Sequence, residues 1–439
     1  MTYKRKFIIY GGAGLNPFFF LMAFALALGT GTICNAQNDL QYYLTTACNH
    51  SAVLKESKNL VAKSRIDRSL IESQYVLPRV SLTANYMITP YFNNHGQLIT
   101  RDPDPKAIGY DAAITNGGLY SALLNVEKPL FVDGVVSVFD EQTQLSVKNA
   151  ENSYANAKHS LERDVTDQYL NVCQDQELFA LARAIADTIT VQLRYLEGLV
   201  QRGLAKQSDY LMLKIEADNQ LLTAEQHMND LKKDKNILNT LCGLQDTVSI
   251  QFSVPDLTYM DPRNASNFMT QFILDSSTIE NQQKIFETKY KPQLSAFFNT
   301  GINALDLNDI QRKFGMSAGL NFLMPIYDGG QRNLTQQQSE ILLRTVTGYR
   351  DNQQVILANN RKAAMDQIAF YKKNEAAITE QIRSYEQLLK IAQGELLNGQ
   401  RSYLDYITLI RTYLELKKSE VAATTGYRLS VNLYNYWNW

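Results

Sequence analysis

Residues 198–210 read GLVQRGLAKQSDY, and residues 394–406 read GELLNGQRSYLDY. The two stretches share Gly198/Gly394, Gly203/Gly399, Asp209/Asp405 and Tyr210/Tyr406, each pair 196 residues apart. The same offset relates Pro129 to Pro325 and Gly134 to Gly330, so no insertion or deletion intervenes across about 80 residues. An element that need only be sticky is free to change length. Two elements that must reach one plane are not. The echo therefore predicts two rods of equal length, each a helical hairpin turning near residues 199–208 and 395–404.

Working outward, the ten prolines of the chain avoid 134–242 and 330–439. An interior proline costs a helix about 3 kcal/mol, so these tracts are free to form very long helices. Phe179, Ala182, Ala186, Ile189, Leu193 and Leu196 run at alternating three- and four-residue spacing, as do Ile378, Ile382, Tyr385, Leu389, Ala392 and Leu396. That is coiled-coil patterning. From Asp133 to Gly198 a helix would extend on the order of 100 Å. Asp133 and Asp328 suit N-caps, and Gly203 and Gly399 suit left-handed helix ends. Shorter helices are expected at about 39–77 and 264–290, the second starting near Asp261-Pro262.

Four other segments alternate with a period of two. Val80, Leu82, Ala84, Tyr86 and Ile88 interleave with small or polar residues, as do Phe314, Met316, Ala318, Leu320, Phe322 and Met324. Segments 119–128 and 294–303 alternate less cleanly. Ten-residue runs, apolar on one side only, are the pattern of transmembrane β-strands. Single-chain barrels of this kind start at eight strands, and an open edge in lipid leaves backbone groups unsatisfied. Four strands therefore imply a barrel shared between copies. The first hairpin loop, about 90–118, is longer than the second, about 303–312.

The N-terminus reads as a secretory signal over residues 1–36: Lys4, Arg5 and Lys6, an apolar run from Leu15 to Leu28, then Cys34-Asn35-Ala36. A lipoprotein reading would acylate Cys34, but Ile33 stands where Gly or Ala is expected. Removing three cations takes the net charge from −1 to about −4, too mild to suggest nucleic acid. Cys48, Cys173 and Cys242 form no disulfide framework or zinc site, and the four histidines lie far apart. No cofactor, metal site or enzymatic constellation is expected. The remaining chain divides into a first repeat (37–242), an inter-repeat linker (243–263) and a second repeat (264–439).

The order helix, β-hairpin, long helical hairpin, given twice after a signal, resembles the TolC-like outer-membrane efflux channels. Lys128-Pro129-Leu130-Phe131 and Met324-Pro325-Ile326-Tyr327-Asp328-Gly329-Gly330 resemble that family's strand-to-helix junctions. Arg202-Gly203-Leu204 and Asn398-Gly399-Gln400 fall at its helix-turn-helix tips, and Tyr427 to Trp439 resembles its closing helix. The resemblance implies a mixed α+β membrane protein: a homotrimer whose twelve-stranded transmembrane β-barrel, four strands per chain, continues into an α-helical coiled-coil barrel. It implies a passive duct in the outer membrane of a Gram-negative bacterium, extending through the periplasm. Such a duct works with a periplasmic adaptor and an inner-membrane transporter and exports small molecules. By the same resemblance, Gly203, Leu204 and Gly399 meet the adaptor, and segment 243–263 belongs to a belt around the helices. Asp405 belongs to an acidic ring at the constriction, and Arg401 links to Ser208 and Asp209 of the neighbouring hairpin. Where the family has a second acid this chain has Thr408, and Leu396 replaces an aromatic partner. A duct for protein secretion, or a periplasmic coiled-coil adaptor, are the alternative readings.

Overall fold

The computed structural model describes residues 39–100, 102–110, 118–245, 251–263, 265–304 and 310–439. The signal segment, Cys34 and residues 246–250 lie outside the described residues. The first repeat comprises α1 (Leu40–His50), α2 (Ala52–Tyr75), β1 (Arg79–Ile88), β2 (Gly118–Leu130), α3 (Asp133–Gln201) and α4 (Gln207–Cys242). The second comprises α5 (Thr270–Glu287), β3 (Gln293–Ala304), β4 (Phe314–Leu323), α6 (Gln331–Leu397) and α7 (Tyr403–Trp437).

The 196-residue echo is geometric. Helices α3 and α6 end at Gln201 and Leu397, α4 and α7 begin at Gln207 and Tyr403, and β2 and β4 begin at Gly118 and Phe314. Helix α3 runs 69 residues and α6 runs 67, about 100 Å each. The coiled-coil stripes face inward: Ala182, Ala186, Ile189 and Leu196 are buried on α3, and Ile382 and Ala392 on α6. Among the described residues no helix is long and apolar enough to cross a bilayer.

Several local expectations shift. The helix expected over 39–77 breaks at Ser51, whose hydroxyl accepts from Leu54 N and so starts α2 afresh. Helix α5 is entered through a 3₁₀ turn at Asn267–Met269 rather than at Pro262. The Asp261 carbonyl and Arg263 N–H are instead taken by the Asn438 side chain at 2.8 and 3.0 Å. Asp133 lies in the first turn of α3, behind an N-cap, Val132, that makes no side-chain cap bond. Asp328 caps α6 from two residues before the formal N-cap, accepting from Gly330 N and Arg332 N at 2.8 Å each. Hydrogen bonds from Tyr290 Oη and these backbone groups hold its carboxyl below the usual range.

The four strands form one antiparallel sheet in the order β1-β2-β3-β4. Its register resolves the two poorly alternating segments. Leu82 faces Leu124, Leu124 faces Thr300 and Thr300 faces Met316; Val80, Val126, Phe298 and Ala318 form the next row. One face is therefore apolar apart from Thr300 and, near one end, Lys128, from Val80, Leu82 and Tyr86 on β1 to Met316, Leu320 and Phe322 on β4. The other carries Ser81, Thr83, Asn125, Asn299, Ser317 and Asn321. Asn125 Nδ2 donates to Thr83 Oγ1 across the polar face at 2.9 Å.

Midway along the helices α1, α3, α4 and the linker share a core of Tyr43, Val165, Tyr169, Leu238 and Phe252. The described parts of the linker, 243–245 and 251–263, contain no helix or strand. Gln176 grips the Phe252 backbone through both amide atoms (2.9 and 3.0 Å), and Tyr169 Oη donates to Ser253 O at 2.8 Å. Asn435 binds Thr258 O and Met260 N in the same manner. The linker thus straps the first hairpin to the end of α7. Cys173 and Cys242 are buried and free; burial pushes both thiols up to about 12.

Candidate functional site: the paired hairpin tips

Both helical hairpins turn by the same device. In the first, Leu204 N–H returns to Leu199 O and Gly203 N–H to Val200 O, each at 2.9 Å. In the second, Gln400 N–H returns to Glu395 O at 2.8 Å and Gly399 N–H to Leu396 O at 3.1 Å. The pattern requires a left-handed residue after the cap, and Gly203 and Gly399 have φ of +72° and +71°.

Below the turns the two hairpins pack on each other. Ile189, Leu196, Leu213 and Ala217 of the first meet Ala392, Tyr406, Ile407, Ile410 and Leu414 of the second in one buried cluster. Gln192 Nε2 donates to Tyr406 Oη at 3.1 Å. The two tips therefore reach one plane inside a single chain, as equal rods require.

The site residues expected from the sequence lie within this region, in a particular arrangement. Asp405 N–H donates to Ser402 Oγ (3.1 Å), and Ser402 Oγ donates to Asp405 Oδ2 (2.8 Å), a reciprocal cap at the start of α7. Ser208 Oγ donates to Asp209 Oδ1 at 3.4 Å. Asp209 and Tyr195 lie close enough to Tyr403 to add to the effect of burial, which is the main cause of its raised pKa. Arg401 does not meet Asp209 within the chain. Its Nε lies 2.7 Å from Glu395 Oε2, across its own turn. The expected link from Arg401 to Ser208 or Asp209 is not made within the described residues of this single chain.

Leu204 projects from the first tip, 71% exposed. Pro129 lies at the end of β2, paired with Ser295. Pro325 follows β4, and Gly329 and Gly330 take φ of +69° and +84° in the turn capped by Asp328.

Sequence reasoning missed one contact. Glu216 on α4, 2% exposed, accepts from Arg411 Nε on α7 at 2.7 Å. A signal existed: Glu216 lies 13 residues beyond Gly203 and Arg411 lies 12 beyond Gly399, opposite charges at one height in the two copies.

No family model and no curated relative matches the sequence. Solved structures do match in three dimensions. The chain superposes on the Campylobacter jejuni CmeC outer membrane channel with TM-score 0.71 and 14% identity, over 91% of this chain and 85% of that one. The chain has the outer-membrane channel fold. It matches the outer membrane protein VceC of Vibrio cholerae with TM-score 0.69 and 13% identity, over 91% of this chain and 96% of that one. For the open-state MtrE outer membrane channel of Neisseria gonorrhoeae the values are 0.68 and 14%, over 91% and 88%. At such identities the likeness is one of fold.

Proposed function

We propose that this chain is one third of a passive duct through the outer membrane of a Gram-negative bacterium. The observation that carries the reading is the sheet: one apolar face, one polar face, and two edges without partners among the described residues. With the order β1-β2-β3-β4 all antiparallel, β4 of one copy runs antiparallel to β1 of the next, so copies close edge to edge. Three copies give twelve strands and leave no edge in lipid. The apolar face meets the acyl chains; Leu82, Met316, Leu320 and Phe322 are 66–75% exposed in the single chain, a surface that soluble monomers rarely present. Helix α6 supports the same assembly. Leu342, Tyr349, Ile356, Phe370 and Ile391 are spaced at multiples of seven and stand exposed, a coiled-coil seam awaiting a neighbouring copy.

In that assembly the six hairpins converge at the periplasmic tip. Three Asp405 carboxylates would form a ring whose field favours cations. Arg401, released from Glu395, would link to Ser208 and Asp209 of an adjoining hairpin. The exposed turns at Gly203, Leu204 and Gly399 are the surface offered to a periplasmic adaptor, which would connect the duct to an energised inner-membrane transporter. Small molecules are the cargo that fits a duct with no chemistry of its own. Detergent-extracted protein is expected to behave as a trimer and to conduct in planar bilayers; a monomer that never inserts would contradict the proposal. Arg401→Ala combined with Asp209→Ala is expected to raise conductance, and Asp405→Asn to weaken cation preference.

A further inference from the structure

Glu216 is a carboxylate with almost no access to water, at a place where two long hairpins meet. Its own helix supplies one partner: Gln220 Nε2 donates to Oε1 at 2.9 Å. The other oxygen is held from the second hairpin, where Arg411 Nε lies 2.7 Å from Oε2 and a terminal guanidinium N–H points at the same atom. The Arg411 side chain is 57% exposed while Glu216 is 2% exposed, so water reaches the cation and not the anion. Leu213 and Ala217 of α4 and Ile407, Ile410 and Leu414 of α7 belong to the apolar cluster beside the pair.

We infer that Glu216–Arg411 is the latch that holds the second hairpin against the first within each chain, and so positions the gate. The inference rests on the channel reading above and deepens it. In the proposed duct, opening by a swing of the second hairpin away from the first would part α7 from α4 near the tip. The apolar contacts there can slide and re-form, because dispersion and burial are non-directional. The ion pair cannot slide. It is lost at once, and its loss strands a buried carboxylate whose remaining protein partner is the Gln220 amide. That step gives the closed state a threshold. Arg401 cannot supply it within a chain, since its partner Glu395 lies on the same hairpin and moves with it.

The test uses the full-length protein in planar bilayers, with hydrogen exchange of the detergent-extracted protein alongside. Glu216→Gln keeps the shape and removes the charge; Arg411→Lys keeps the charge and loses the fork; Arg411→Ala removes the cation. Glu216→Gln is expected to raise the open fraction about tenfold and to speed amide exchange around 213–217 and 407–414 by a similar factor. Arg411→Lys should stay within about threefold of wild type, with the oligomer intact in both. If Arg411→Ala fails to assemble, the near-isosteric Glu216→Gln still decides. A conducting wild type with an unchanged Glu216→Gln variant overturns the latch and leaves the channel reading standing. A wild type that never conducts overturns the channel reading, and the exchange rates then judge whether the pair clamps α4 to α7; unchanged rates overturn that too.

Discussion

Arg401 Nε and Glu395 Oε2 stand 2.7 Å apart on opposite sides of one turn, so the charge that the sequence offers to the neighbouring hairpin is spent locally in the single chain. Both side chains remain about one-third exposed. Replacing Arg401 with Ala is expected to lower global stability by less than about 1 kcal/mol, as for other solvent-exposed pairs. Chemical denaturation checks this, and a loss above about 2 kcal/mol would show that Arg401 bonds beyond its own turn.

The two tip glycines make a second prediction. Gly203 and Gly399 are open on the side where a Cβ would stand, so the penalty of a side chain is conformational and not steric crowding. Gly203→Ala and Gly399→Ala are each expected to cost about 1–2 kcal/mol locally. Amide exchange should accelerate at Leu204 and Gln400, whose N–H groups close the turns, while the mid-helix core around Tyr169 keeps its protection.

A third prediction concerns pH. Asp175 on α3 is raised to about 6, chiefly by burial and then by the charges of Asp234 and Asp230 on α4. A carboxyl with a folded pKa above its unfolded value favours folding below about 4, and that contribution is lost as pH rises through about 6. Asp175→Asn should therefore stabilise the protein at pH 7–8 by about 1 kcal/mol, after discounting for the partial exposure of the site. The gain should vanish below about pH 4. Melting temperatures across that range decide it; a gain that persists in acid would show that the charge is not its source.

The sheet yields a fourth. Leu82→Arg and Leu320→Arg lie on the apolar face, and Ser317→Arg on the polar one. The first two are expected to cost about 2–4 kcal/mol in membrane insertion if they lie near mid-bilayer, and Ser317→Arg far less. Folding into lipid vesicles under denaturant measures each, and equal costs on both faces would remove the assignment of lipid to the apolar side.

How much of this was legible beforehand follows from the range of the interactions involved. The tips were legible because a left-handed cap and a six-residue backbone closure are local, and Gly203 and Gly399 announce them. The long helices were legible because absent prolines and a heptad stripe act along one chain segment. Strands β1 and β4 were legible from their alternation. Strands β2 and β3 became clear only through their register, which places Thr300 in the same row as Leu124 and Met316. The start of α5 was misread because Asp261-Pro262 carries a helix-start signal that the Asn438 side chain overrides from 177 residues away.

By itself, the sequence determined the lengths: two hairpins whose long helices run 69 and 67 residues, two turns of one kind, and a strand set too small to close alone. Those properties depend on backbone conformation and periodicity, which neighbouring residues dictate. The tertiary structure alone decided which charges meet. Arg401 went to Glu395 across its own turn, and Arg411 to Glu216, because an ion pair depends on which side chains lie within a few ångströms; for Glu216 and Arg411, 195 residues apart, only the packing of α4 against α7 determines that.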